Sequence, residues 1–135
     1  MNKILIPYAA TLLVMVALDL LWLGVIAKPI YQQGIGHLMA ERPNLIAAGV
    51  FYVVFAAGLL VFAVMSPTSP TSVGQVALRG ALFGFFAYAT YDLTNLATLK
   101  QWPLGVALLD MAWGSAISAV SAGAGKFALD RWTHG

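Results

Sequence analysis

Three aspartates, Asp19, Asp92 and Asp110, stand inside long apolar stretches that, past Arg79 at the entrance of one of them, contain no Lys, Arg or His to pair with them. A carboxyl group in such surroundings costs a few kcal/mol, so it must be protonated, paired or hydrated. The chemistry open to it is proton binding, capture of a cation or amine, or general acid–base work. Two of the three share a local pattern: Asp19 precedes Trp22 and Asp110 precedes Trp113 in the same D-x-x-W spacing, each tryptophan followed shortly by glycine. Tryptophan faces beside acids suit a cation, whether an ammonium group or a carbocation. Around Asp92, Tyr88, Thr90, Tyr91, Thr94 and Asn95 offer hydrogen bonds. Asp19, Trp22, Tyr88, Asp92, Asn95, Asp110 and Trp113 are therefore the candidate ligand-binding residues, and the three aspartates are the candidates for any catalysis. The chain has no cysteine, which excludes disulfides, thiolate zinc sites, iron–sulfur clusters and a thiol nucleophile. No spacing supports a metal set, and no cofactor is expected.

The elements that must position these groups follow from composition. The 135 residues are 61% hydrophobic and 9% charged, whereas soluble domains carry about 25% charged residues. A bilayer core needs about 20 apolar helical residues, and four runs qualify, at about 4–27, 45–65, 76–98 and 104–125. Pro43-Asn44 reads as a helix start, the Ser/Pro/Thr stretch at 66–70 as a turn. The first run is too long for the apolar region of a cleaved signal peptide. Runs of this length are helices, since barrel strands are shorter and open edges are not tolerated in lipid. The expected fold is all-α: a polytopic membrane protein, one membrane domain built as a four-transmembrane-helix bundle.

Helical geometry then places the aspartates. Asp19 lies about 5 Å past the middle of its span, Asp92 roughly 5–8 Å past, and Asp110 about 6 Å before, in a span running the other way. All three are displaced toward one membrane face, the face of the Lys28–Asn44 loop and the Lys100–Pro103 turn. Gly80, Gly84, Tyr88, Asp92 and Asn95 form one stripe of the third span, and Asp110, Gly114, Ser118, Ser121 and Gly125 an equivalent stripe of the fourth. The GxxxG pair turns the first stripe toward a neighbouring helix. The repeated D-x-x-W in opposed helices has two accounts, a weak inverted repeat around a midplane site or coincidence in an apolar alphabet. The Lys28–Asn44 loop has an apolar side, from Ile30, Tyr31, Ile35, Leu38 and Met39, and reads as interfacial or partly re-entrant. Trp102 and Trp132 read as interfacial anchors, while Trp113 needs a partner for its indole N–H inside the bundle.

Lys3, Arg79, Lys126 and Arg131 share one side with both termini, against Lys28, Arg42 and Lys100 on the other. This slight excess favours cytoplasmic termini. A net charge of +2 without a basic cluster argues against nucleic acid; membrane lipids and a second copy of the chain are the expected partners. Three functions compete. The first is binding or transport of a proton, cation or small amphipathic ligand; the second is an intramembrane enzyme acting on a lipid or isoprenoid; the third is a structural partner of another membrane protein. Enzymes of this kind carry more polar residues within their spans, which favours the first.

Taken together, Ala17-Leu18-Asp19 through Trp22-Leu23-Gly24, Gly36-His37-Leu38 through Arg42-Pro43-Asn44, the run YATYDLTNLATLK from Tyr88 to Lys100, Trp102-Pro103, and DMAWG from Asp110 to Gly114 resemble a family of small bacterial integral membrane proteins, domain of unknown function 2177. The resemblance covers nearly the whole chain apart from residues 66–73 and the tail after Gly125. It implies a multi-span protein of the bacterial inner membrane and carries no activity with it.

Overall fold

The computed structural model describes residues 2–39, 44–65 and 72–133; Glu41, Arg42 and Pro43, the turn at 66–70 and His134 lie outside them, as does the side chain of Trp132. Regular structure among the described residues is entirely helical. Helix α1 covers Asn2–Leu21 and runs on through a π-helical turn, Trp22–Ile26, closed by the Ala27 N–H donating to the Trp22 carbonyl at 2.7 Å. Helix α2, Lys28–Ile35, starts with Pro29 in its first turn and passes into a 3-10 turn, Gly36–Leu38. Helix α3, Leu45–Leu59, is capped by the Asn44 side chain, which accepts from the Ala47 N–H at 3.0 Å. It ends in a second π turn, Leu60–Val64.

Helix α4, Val73–Thr98, opens on a capping box in which the Ser72 hydroxyl accepts from the Gln75 N–H and the Gln75 side chain accepts from the Ser72 N–H. Those two bonds satisfy amides that a helix start leaves open, and they begin the helix ahead of the run read from apolarity. Helix α5, Leu104–Thr133, extends beyond the apolar run ending near Gly125. Its last turns carry an i,i+4 ion pair, Lys126 to Asp130 at 2.8 Å, which favours helix once apolar sequence stops.

Residues 3–26, 45–64 and 104–131 form helices both long and apolar enough to cross a membrane. Helix α4 matches them in length and is less apolar, since Arg79, Asp92 and Asn95 fall within it. Burial follows the pattern of a protein dissolved in lipid. Ile46, Leu13, Phe62, Phe86 and Val54 are exposed, whereas Thr11, Asp19, Asp92, Ser118 and Ser121 are buried. In water such a surface would aggregate; hydrocarbon leaves apolar side chains no reason to hide, and polar ones go inward.

Helix α5 is the centre of the packing, with α4 and α1 against it and α3 reaching α1. Helices α4 and α5 run antiparallel along their length: Gly80 lies on the Ser118 carbonyl, where an added Cβ would come within 2.6 Å, Gly84 faces Gly114 and Ser118, and Gly114 carries the Tyr88 ring. The two small-residue stripes thus face each other, and the close approach is what brings Asp92 beside Asp110. On its other side α5 meets α1 where Gly125 sits on Thr11 and Pro7. Helix α3 touches α4 chiefly through its π turn. Toward its N-terminal end α3 stands off from α4, and the space left there is where the site lies.

Candidate functional site

Asp19 is buried near the end of α1, and both its oxygens are engaged. The Tyr52 hydroxyl of α3 donates to Oδ2 at 2.5 Å, and the Trp113 indole of α5 donates to Oδ1 at 3.1 Å. The indole partner that Trp113 requires is therefore a carboxylate on another helix. Tyr52 is the sole polar side chain in α3. It sits about as far from the start of α3 as Asp19 sits from Ile26, the end of the π turn that continues α1, which is why two antiparallel spans bring them level. That depth match was the available signal for Tyr52, and reading only charged groups passes over it.

Asp110 is held by α2. The Tyr31 hydroxyl donates to its Oδ1 at 2.8 Å and itself accepts from the Trp22 indole at 3.3 Å. Tyr31 is the buried residue of α2, packed with Ala27 and Val106 and flanked by Trp22 and Ile35. Gly34 lets α2 settle on Val106 and Pro103. The described part of the Lys28–Asn44 loop is thus mainly a short helix that closes one side of the site. Burial, and the Asp110 carboxylate, push the Tyr31 phenol up against the opposing effect of the Trp22 N–H, so it stays a neutral donor.

The two D-x-x-W patterns cross over. Trp22 and Trp113 stack with centroids 4.3 Å apart and planes 5° from parallel. Each tryptophan serves the other helix's aspartate, Trp113 directly and Trp22 through Tyr31. One connected group results, from Tyr52 through Asp19, the stacked indoles and Tyr31 to Asp110.

Asp92 lies behind Asp110 and is fully buried, and neither of its oxygens has a hydrogen-bond partner. The carboxyl of Asp110 and the indole of Trp102 are its polar neighbours, and the Trp102 N–H is likewise buried and unpartnered. Trp102 stands edge-on to Tyr91, centroids 5.8 Å apart. Expected as an interfacial anchor, it also lines the cavity described below, its ring folded against Tyr91 of α4.

These groups line or back a cavity of about 680 Å³, predominantly apolar and open on one side. Of the seven candidate ligand-binding residues, Asp19, Tyr88 and Asp110 face it. Asp92, Trp22 and Trp113 stand behind its wall, and Asn95 lies off it, near Tyr91. Thr90 turns its hydroxyl to the Phe86 carbonyl of its own helix at 2.7 Å and does not join. The cavity adds what sequence reading missed: Lys28 at its mouth, Tyr31 and Gln32 of α2, and an aromatic wall of Phe51, Tyr52 and Phe55 opposite Tyr91 and Trp102. Carboxylates within aromatic faces, with one ammonium at the rim, can hold a positively charged group by charge and by cation–π attraction.

Neither a curated protein nor a solved structure matches the chain. A family model described as "Predicted membrane protein (DUF2177)" matches residues 4–127. That stretch includes every helix contributing to the cavity and all three intramembrane aspartates, and the chain belongs to this family of predicted membrane proteins.

Proposed function

We propose that the protein is a bacterial inner-membrane binding and transport module for a cationic ligand, with the cavity as its binding site. The observation that carries this reading is the union, in one cavity, of Asp19 and Asp110 with an aromatic lining and Asp92 immediately behind, against Lys28 as the single ammonium among the described lining residues. An uncompensated set of acids in low dielectric disfavours anions and favours cations. Both termini lie in the cytoplasm in this reading, so the mouth beside Lys28 faces outward. Four helices make a narrow passage, and a homodimer among membrane lipids is the assembly that would widen it.

The direct test uses the protein in lipid nanodiscs, titrated with tetramethylammonium and followed by tryptophan fluorescence, since Trp22 and Trp113 lie on the site. Saturable quenching or enhancement is expected, with Asp19→Asn and Asp110→Asn each weakening affinity by about tenfold or more, or 1.4 kcal/mol. Absence of saturable binding in a folded wild type would overturn the reading.

A second reading, an enzyme acting on a lipid or isoprenoid, draws on Asp92, whose unpartnered carboxyl beside Asp110 is where a proton donor would be kept. Lipid mass spectrometry on membranes lacking the protein, or supplied with wild type or Asp92→Asn, separates the two. A lipid that changes only with intact Asp92 would establish the enzyme, and unchanged lipids favour binding and transport.

A further inference from the structure

Phe51 and Phe55 also belong to a second hollow, of about 600 Å³, which runs down the outer side of the bundle between α3 and α4. Its walls are apolar: Val50, Val54 and Gly58 from α3, Phe62 from the π turn that ends it, and Phe83 from α4. The gap exists because α3 touches α4 chiefly at its π turn, and Phe83 closes the lower end against Phe55 at 5.3 Å and Phe62 at 5.7 Å. Val50 and Val54 are 56% and 63% exposed, so the groove faces the hydrocarbon of the bilayer. From Ala47 to Phe62 it follows α3 for about 22 Å, the reach of a long alkyl or acyl chain.

We infer that this groove holds the hydrocarbon chain of an amphipathic cation, whose ammonium head occupies the acidic cavity and which enters sideways from the lipid between α3 and α4. The inference rests on the cation-binding reading above and names its ligand class. Ordinary lipid wets any apolar surface in a bilayer; a groove that shares its Phe51 and Phe55 walls with a cavity lined by Asp19 and Asp110 selects a chain with positive charge at that end. The alternative approach, from water past Lys28, brings a cation against a like charge, whereas the lateral route meets none among the described residues.

A hexadecyltrimethylammonium carrying a diazirine near the middle of its chain is the probe, with the protein in nanodiscs and crosslinks mapped by mass spectrometry. Crosslinks are expected on Val54, Gly58, Phe62 and Phe83, reduced about tenfold by excess tetramethylammonium, which competes only for the head position. A Val50→Phe, Val54→Phe variant fills the groove from its exposed side. It should lose these crosslinks while binding tetramethylammonium as wild type does. Crosslinks scattered evenly around the bundle, as for an uncharged alkyl diazirine, would mean that the groove holds bulk lipid and would overturn the inference. If tetramethylammonium still binds in that case, the cavity reading survives alone; if it does not bind, that reading falls as well.

Discussion

At the scale of single residues, the site is held by neutral donors placed on acids from other helices. Trp113 shows what one of them contributes. Replacing it with Phe keeps an aromatic ring stacked on Trp22 but removes the donor from Asp19 Oδ1. The expected cost is about 1–3 kcal/mol, because a buried acceptor is left without its bond, and ammonium affinity should change as well, since Asp19 lines the cavity. Unfolding in graded denaturing detergent, alongside the fluorescence titration, measures both; an unaltered midpoint would show that the bond contributes nothing to holding α1 on α5. Asp19, Asp92 and Asp110 were legible as isolated acids in apolar sequence. Tyr31 and Tyr52 were not legible as their partners, nor Trp102 as a neighbour of Asp92, because a hydroxyl or indole in an apolar run looks the same whether it faces lipid or a carboxylate.

At the scale of elements, the contact of α4 with α5 decides whether a site forms. Gly84 has no room for a side chain: a Cβ there would overlap the Ser118 side chain and the Gly114 carbonyl. Gly84→Ala should therefore force the helices apart or shift their register, at a cost of about 1–3 kcal/mol, and weaken ammonium binding by displacing Asp92 and Asp110. Gly49, in α3, has nothing within 4 Å of an added Cβ, so Gly49→Ala should be neutral or stabilising by up to about 1 kcal/mol, as for a glycine in a helix interior. Detergent unfolding of the pair tests this, and equal effects would contradict the packing described. The four- and three-residue steps of the two stripes were readable in sequence because a helix repeats every 3.6 residues. The π turns of α1 and α3 were not, since an inserted residue leaves no periodic mark in a uniformly apolar run.

At the scale of the whole molecule, the absence of cysteine makes single-cysteine variants clean reporters. Gln32→Cys, at the cavity lining, should react with a membrane-impermeant maleimide added to intact cells, whereas Leu13→Cys, exposed on the apolar surface of α1, should not react from either side. Labelling of position 32 only after the membrane is opened would invert the proposed orientation. The sequence by itself determined that the chain lives in a membrane as helices and that its acids share one depth, because run length and helical rise are local properties. Which helices meet, that Trp113 reaches Asp19 directly and Trp22 reaches Asp110 through Tyr31, and that α3 stands away from α4 to leave a cavity and a groove sharing Phe51 and Phe55 were decided by the tertiary structure. Those outcomes depend on close contacts between residues far apart in the chain, glycine against serine and tyrosine against aspartate, and apolar patterning in lipid does not encode them, since hydrocarbon solvates every apolar face alike.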